Sequence, residues 1–224
     1  TPCGTLFPYT TLFRSGNLQG LTGRKTNLAI TETVLMEAYL GDGGHVRLVA
    51  TDLETGFDVR IPAQVAATGR IAVPARRLYD IVKDFPYAEI PIHEVENRWI
   101  EIARDRIHYH MVGMNSEDFP DVPSVPGIAF FEVPVPALAN AISRTVIIDP
   151  GGDDRAHVAG IHFTHRPDEK MLRMVSTDGS RLAVADCGYL AAGSMPDSVL
   201  IPKRGMSEVK KFLAGDTARI GVDE

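Results

Sequence analysis

The chain has 224 residues, 44% hydrophobic and 23% charged, and carries a net charge of 23 − 29 = −6. This composition excludes a disordered or fibrous chain, and no run approaches the roughly 18 apolar residues of a membrane helix. Cys3 and Cys187 form neither a disulfide framework nor a metal spacing, which favours a reducing compartment. The net charge argues against a generic nucleic-acid binder, unless the positive charge is gathered on one face.

Residues 1–15, TPCGTLFPYTTLFRS, show no apolar period that continues into the chain beyond Ser15. They lack the basic start and apolar core of a secretory signal. The stretch LFPYTTLFRS resembles translated sequencing-adapter read-through, so 1–15 is expected to be non-native and is set aside, with native sequence starting near Gly16. A helix remnant near Leu18 and Leu21 precedes Arg24 and Lys25, and Gly41 to Gly44 reads as a hairpin turn. The runs at 46–50 and 172–176 read as strands, each ending in a Thr-Asp turn. Alternation at 57–61 and around 182–185 predicts the next strand of each unit. Pro74 and Pro202 suit a first helical turn, where a missing N–H costs nothing. Behind them Leu78, Ile81 and Val82, and Met206, Val209 and Phe212, keep helical spacing. Residues 98–103 alternate and 107–111 form another strand after them. Pro120, Pro123 and Pro126 mark a linker, and a third helix is expected over 136–146.

The chain repeats itself. Arg47-Leu-Val-Ala-Thr-Asp-Leu-Glu54 has a partner in Arg173-Met-Val-Ser-Thr-Asp-Gly-Ser180. Downstream, Arg70-Ile-Ala-Val-Pro-Ala-Arg-Arg-Leu-Tyr-Asp-Ile-Val-Lys83 matches Ser198-Val-Leu-Ile-Pro-Lys-Arg-Gly-Met-Ser-Glu-Val-Lys-Lys211. Thr51 to Pro74 is 74 − 51 = 23 positions and Thr177 to Pro202 is 202 − 177 = 25. Two matched blocks in one order point to a duplicated α+β unit of strand, turn, strand and helix. Counted from the repeat, the second unit stops about 25 residues short of the first, so the chain is expected to end inside a domain. That would leave an open sheet edge.

Positive charge gathers on the helices. The Pro74 helix carries Arg76, Arg77 and Lys83 against Asp80 and Asp84. The Pro202 helix carries Lys203, Arg204, Lys210 and Lys211 against Glu208, and the third helix has Arg144 and no acid. Neutral to basic helices in an acidic chain imply acidic strands and loops. The alternative is that these faces are merely solvated.

Enzymatic chemistries find little support. Asp149, Asp153 and Asp154 around Gly151-Gly152 could suggest a carboxylate metal cluster or nucleotidyl motif, but an acidic Gly-rich turn is commonly just a turn. His108 and His110 share a strand face without a third ligand at useful spacing; His157, His162 and His165 are scattered. Neither a Gly-x-Ser-x-Gly elbow nor a phosphate loop of the Walker type occurs.

The order of Val49-Ala-Thr-Asp-Leu-Glu54, Val73-Pro-Ala-Arg-Arg-Leu-Tyr-Asp-Ile-Val82, Ser116-Glu-Asp-Phe-Pro120 and Val175-Ser-Thr-Asp-Gly-Ser-Arg-Leu-Ala183 resembles the bacterial beta sliding clamp family, the processivity subunit of DNA polymerase III. The resemblance covers about 16–224. It implies an α+β DNA-clamp fold, with duplicated domains that each pack two helices on antiparallel sheets. Domain 1 would be 16–123, with its first strand and helix incomplete; domain 2 would be 127–224, truncated at its C-terminus; a third domain would be absent. The implied function is a non-catalytic, cytoplasmic clamp that encircles double-stranded DNA as a homodimer ring and tethers the polymerase. Neither cofactor nor metal is implied. Arg24 and Arg76 fall where the family places DNA-touching arginines; Arg77, Arg144, Lys203, Arg204, Lys210 and Lys211 join them by position on the basic helices. Ala156 and His157 stand where the family often has aromatic residues. The family's pocket for short hydrophobic peptides of the polymerase catalytic subunit and clamp loader implies Thr177, Gly179, Arg181 and Leu182, with Val158 beside them. Rival readings are a peptide-docking scaffold that does not encircle DNA, and a metal-dependent nucleotidyl enzyme.

Overall fold

A computed structural model describes residues 3–8, 29–41, 43–53, 55–122, 127–148 and 160–222. The chain divides into two compact units, Thr1–Pro123 and Ser124–Glu224.

The first unit runs β1 (Cys3–Pro8), β2 (Thr33–Tyr39), β3 (His45–Thr51), β4 (Gly56–Pro62), β5 (Gln64–Val65), β6 (Gly69–Pro74), α1 (Ala75–Asp84), β7 (Glu89–Glu94), β8 (Trp99–Arg104) and β9 (Ile107–Val112). Its two sheets have the orders β4-β3-β2-β6 and β5-β1-β7-β8-β9. Alternation sets the faces. Val46 and Leu48 of β3 join Val34 and Met36 of β2 in the core, while Arg47 and Val49 face away from it. Ile90, Ile92, Ile100 and Ile102 of the other sheet enter the same core. Leu78, Ile81 and Val82 of α1 complete it, spaced so that one helical stripe is buried.

The second unit runs β10 (Phe131–Pro134), α2 (Val135–Thr145), β11 (Gly160–Arg166), β12 (Met171–Thr177), β13 (Leu182–Gly188), β14 (Ser198–Pro202), α3 (Lys203–Phe212) and β15 (Thr217–Ile220). Its four-stranded sheet has the order β13-β12-β11-β14, and β10 pairs β15. Replacing β4, β3, β2 and β6 by β13, β12, β11 and β14 turns one four-stranded sheet into the other, as the internal repeat predicts. Every pairing is antiparallel. Phe131, Leu138, Ile142, Phe163, Leu172 and Met174 lead a separate core. The C-terminal end of α2 is fixed to β12 by the Ser176 hydroxyl, which donates to the Thr145 carbonyl at 2.6 Å. Both residues are buried, so this carbonyl, unpaired within its own helix, finds its partner in the sheet.

Three features depart from sequence expectation. Cys3–Pro8, set aside as foreign, forms a strand between β5 and β7. Backbone hydrogen bonding asks only for an open edge and is indifferent to the origin of the chain. Pro74 and Pro202 sit at the N-caps rather than inside the first turn, with ψ of 113° and 132°. The stretches before them are therefore extended, and each runs as a strand straight into its helix. Finally, β2 occupies the middle of its sheet, where nearly continuous burial hides the period of two.

Ile102 is fully buried. Ile102→Ala should cost about 2–5 kcal/mol by denaturant unfolding, through lost burial and the cavity left behind.

Candidate functional site

The helices present their charge outward because their apolar stripe is held inward. On α1 the buried positions Ala75, Leu78, Ile81 and Val82 leave Arg76, Arg77, Asp80, Lys83 and Asp84 exposed. On α2 the buried stripe is Leu138, Ala141, Ile142 and Thr145, and Arg144 lies exposed in the last turn. There its charge opposes the negative end of the helix dipole.

On α3, Lys203 and Arg204 lie half-buried in the first turn and Lys210 and Lys211 exposed in the last. The two pairs are separated by roughly 10 Å of helix. Lys211 is committed within the helix: its Nζ donates to both carboxylate oxygens of the buried Glu208 at 2.8 Å. α2 and α3 pack against each other, so Arg144 and the α3 cations belong to one helical layer of the second unit. Arg24 lies outside the described residues.

The faces of the four-stranded sheets turned from the core treat charge differently. Arg47 forks onto Asp58 at 3.0 and 2.7 Å and also reaches Glu37 at 2.9 Å, to which Arg70 donates at 2.9 Å. In the second unit Arg173 forks onto Asp186 at 2.6 and 2.7 Å. The fork raises the Arg173 guanidinium and lowers the Asp186 carboxyl from their ordinary values. These bidentate pairs neutralise the sheet arginines internally. Sequence reasoning missed them, although opposite charges at the outward positions of adjacent strands were the available signal.

The Thr-Asp turns repeat in atomic detail. The Thr177 hydroxyl donates to the Arg181 carbonyl at 2.7 Å and accepts from the Gly179 N–H at 3.1 Å. Asp178 accepts from the N–H groups of Ser180 and Arg181 at 3.0 and 2.7 Å. In the first unit Thr51 makes the same bonds to Thr55 and Leu53, at 2.9 and 3.0 Å, and Asp52 accepts from Thr55 at 2.7 Å. At the left-handed position the turns differ: Gly179 has φ +89° where Leu53 has φ +73°. Glycine adopts this region freely, whereas leucine meets a steric penalty there.

Arg181 does not hang free beside the turn. Its Nε and Nη2 bind the second Asp178 oxygen at 2.8 and 2.7 Å. Leu182 is 67% exposed at the start of β13. Thr177, Gly179, Arg181 and Leu182 are thus brought together, while Val158 lies outside the described residues. So do Asp149, Asp153, Asp154 and His157 of the acidic Gly-rich stretch. His108 and His110 both approach Glu101, at 3.7 and 3.8 Å. Among the described residues no three His, Cys, Asp or Glu side chains are arranged to hold a metal ion. No helix among them is long and apolar enough to cross a membrane.

The Asp178 carboxyl is pushed down to about 2, first by the Arg181 N–H, then by its guanidinium and the Ser180 N–H. A depressed carboxyl supports the turn fully above its unfolded value near 4. That support fades as pH falls toward 2. A carboxyl titration by NMR should place Asp178 well below an ordinary aspartate, and Arg181→Ala should raise its midpoint. Leu53→Gly, which relieves the left-handed leucine against the entropy of a new glycine, should stabilise the chain by up to about 1 kcal/mol in chemical unfolding.

Residues 17–123 match the family described as DNA polymerase III beta subunit, N-terminal domain, and residues 132–223 match its central domain. The chain is 28% identical over 204 residues to the beta sliding clamp of Pseudomonas aeruginosa, covering 91% of this chain and 54% of that protein. It is 29% identical over 201 residues to that of Escherichia coli K12, covering 88% and 53%. The chain therefore spans about half the length of the curated relatives it matches. The DNA polymerase III subunit beta of P. aeruginosa superposes with a TM-score of 0.82 at 28% identity, covering 94% of this chain and 56% of that one. The sliding clamp of Bacillus subtilis, at 19% identity, shares the fold with a TM-score of 0.87, covering 100% and 60%. By matches that span both of its units, the chain belongs to the DNA polymerase III beta subunit family, the bacterial beta sliding clamps.

Proposed function

We propose that the full-length protein is a sliding clamp, a non-catalytic homodimer ring that encircles duplex DNA in the cytoplasm and tethers the replicative polymerase. In this reading 16–123 and 127–224 are its first two clamp domains. The observation that carries it is the split of charge between layers. Exposed Arg76, Arg77, Arg144 and Lys210 stand on helices, whereas Arg47, Arg70 and Arg173 on the sheets are closed onto carboxylates. A helix-lined hole would attract phosphates without base readout, and sequence-blind contacts permit sliding. Arg24, Lys203, Arg204 and Lys211 complete the proposed DNA face, Lys211 by exchanging Glu208 for phosphate. The relatives named as beta sliding clamps support the same role.

The turn at Thr177, Gly179, Arg181 and Leu182, with Val158, is proposed as part of a pocket for short hydrophobic peptides of the polymerase catalytic subunit and clamp loader. The exposed Leu182 beside a rigid turn supports it. With Arg181 held by Asp178, the guanidinium frames the site rather than swinging over the ligand.

Retention of full-length protein on closed circular DNA, and its loss after linearisation, distinguishes encirclement from ordinary binding; equal retention on both would overturn the ring. Arg76→Ala should lower the slope of log K against log salt by about one phosphate contact. Titration of a labelled polymerase-tail peptide onto full-length Leu182→Asp should show weakened binding, and undiminished affinity would remove this turn from the pocket.

A further inference from the structure

The end of β2 and the start of β6 are short of side-chain bulk where they face the core. Ala38 pairs in register with Gly69, and a Cβ added to Gly69 would meet no atom within 4 Å. In the other sheet of the first unit, one face of β7 carries Ile90, Ile92 and then Glu94, with Ile92 opposite Ile102 and Glu94 opposite the buried Ile100. Two of the smallest residues thus stand on one side of the interior. On the other side a row of isoleucines ends in a carboxylate.

The result is a cavity of about 250 Å³ in the first unit. Its walls are Met36, Val46, Ile71, Ile92 and Ile100, all buried. Protein interiors ordinarily leave few voids larger than a water molecule, and an apolar lining gives water few partners. About 150 Å³ of such space is enough for a benzene ring. This cavity therefore has room for one ring and a short arm.

The mouth decides the charge of the occupant. Thr68, Arg70 and Glu94 stand there. Arg70 is a neighbour of Ile71 on β6 and so points to the opposite face, where its Nε lies 2.9 Å from Glu37 Oε1. Glu94 is exposed, and among the described residues no hydrogen bond or ion pair engages its carboxylate. The unmatched charge at the opening is negative.

We propose that this cavity binds a small primary amine with an apolar body of about one ring, the body lying among the isoleucines and the ammonium on Glu94. A primary amine is protonated at neutral pH, as lysine is, and its three N–H donors suit the carboxylate together with the Thr68 hydroxyl. A carboxylate ligand of the same size meets Glu94 as a like charge. A neutral alcohol keeps the apolar gain and loses only the ion pair, which near solvent is worth a severalfold difference in affinity. The cavity involves neither the helix cations nor the Thr-Asp turn, so the inference stands apart from the proposed clamp role.

The test titrates phenethylamine, phenethyl alcohol and hydrocinnamate onto the 224-residue chain with labelled isoleucine methyls, followed by NMR. Saturable shifts are expected at Ile71, Ile92 and Ile100, with the amine binding roughly threefold tighter than the alcohol and hydrocinnamate weakest. Glu94→Gln, a change at an exposed side chain, should erase the advantage of the amine and leave the alcohol unaffected. Gly69→Leu, which fills the space the glycine leaves, should abolish binding of both while the isoleucine methyls keep their folded dispersion. Equal affinity for amine and alcohol in the native chain, an amine preference that survives Glu94→Gln, binding that survives Gly69→Leu, or no saturable shift at these methyls would overturn the inference. Tightest binding by hydrocinnamate would overturn it as well, and would give control of the mouth to Arg70.

Discussion

Burial of one apolar stripe along each helix decides everything that the opposite stripe can do. Once Leu78, Ile81 and Val82 are committed to the core of the first unit, Arg76, Arg77 and Lys83 have only solvent to face. The same holds for Leu138, Ala141 and Ile142 against Arg144. Hydrophobic burial is worth roughly 25 cal/mol per Å² of apolar surface, far more than an exposed cation gains by choosing its direction. Charge placement is thus a by-product of packing. The repeat places the prolines that start α1 and α3 at equivalent points and so reproduces it in both units.

The sheets supply the complementary half of the electrostatics. Arg47, Arg70 and Arg173 are no less cationic than the helix arginines, yet each ends on a carboxylate of a neighbouring strand. Side chains directly or diagonally opposite in a sheet are close enough for such pairing. Exposed positions on a short helix find fewer partners, Lys211 with Glu208 being an exception. In a chain of net charge −6 the exposed helix cations thus stand apart from Arg47, Arg70 and Arg173, which the sheets neutralise.

Much of this was legible in the sequence, for identifiable reasons. The Thr-Asp blocks and the prolines behind them recur as Thr51, Thr177, Pro74 and Pro202, and the structure puts each pair at equivalent ends of matching strands. The buried stripe of α1 followed from spacing alone, but on α3 only Met206 of the expected Met206, Val209 and Phe212 is buried: Val209 is exposed and Phe212 half-buried, and Glu208 is buried instead. The central strand β2 did not follow, since burial of successive residues removes the alternation by which a strand is read. The tie between Arg181 and Asp178 was also hidden. A three-residue spacing in a turn brings charges together only when the backbone reverses, and the hydroxyl of Thr177 is what enforces that reversal. The pairing of Cys3–Pro8 was beyond composition altogether, because an edge recognises a backbone and not a sequence.

Closure of the units has a kinetic side. β1 pairs with β7, and β10 pairs with β15, so in each unit the first described strand is joined to one that is synthesised late. The hairpins β2–β3–β4 and β11–β12–β13 are local and can form as soon as they emerge. The pairings that seal each unit must close long loops, an entropic cost that precedes any reward from the contacts made. Each unit therefore passes through a stage in which its hairpins are folded but its sealing strands are still separate. During that interval β7 and β10 present unsatisfied edges, and each folding unit is most exposed to wrong partners while they remain open.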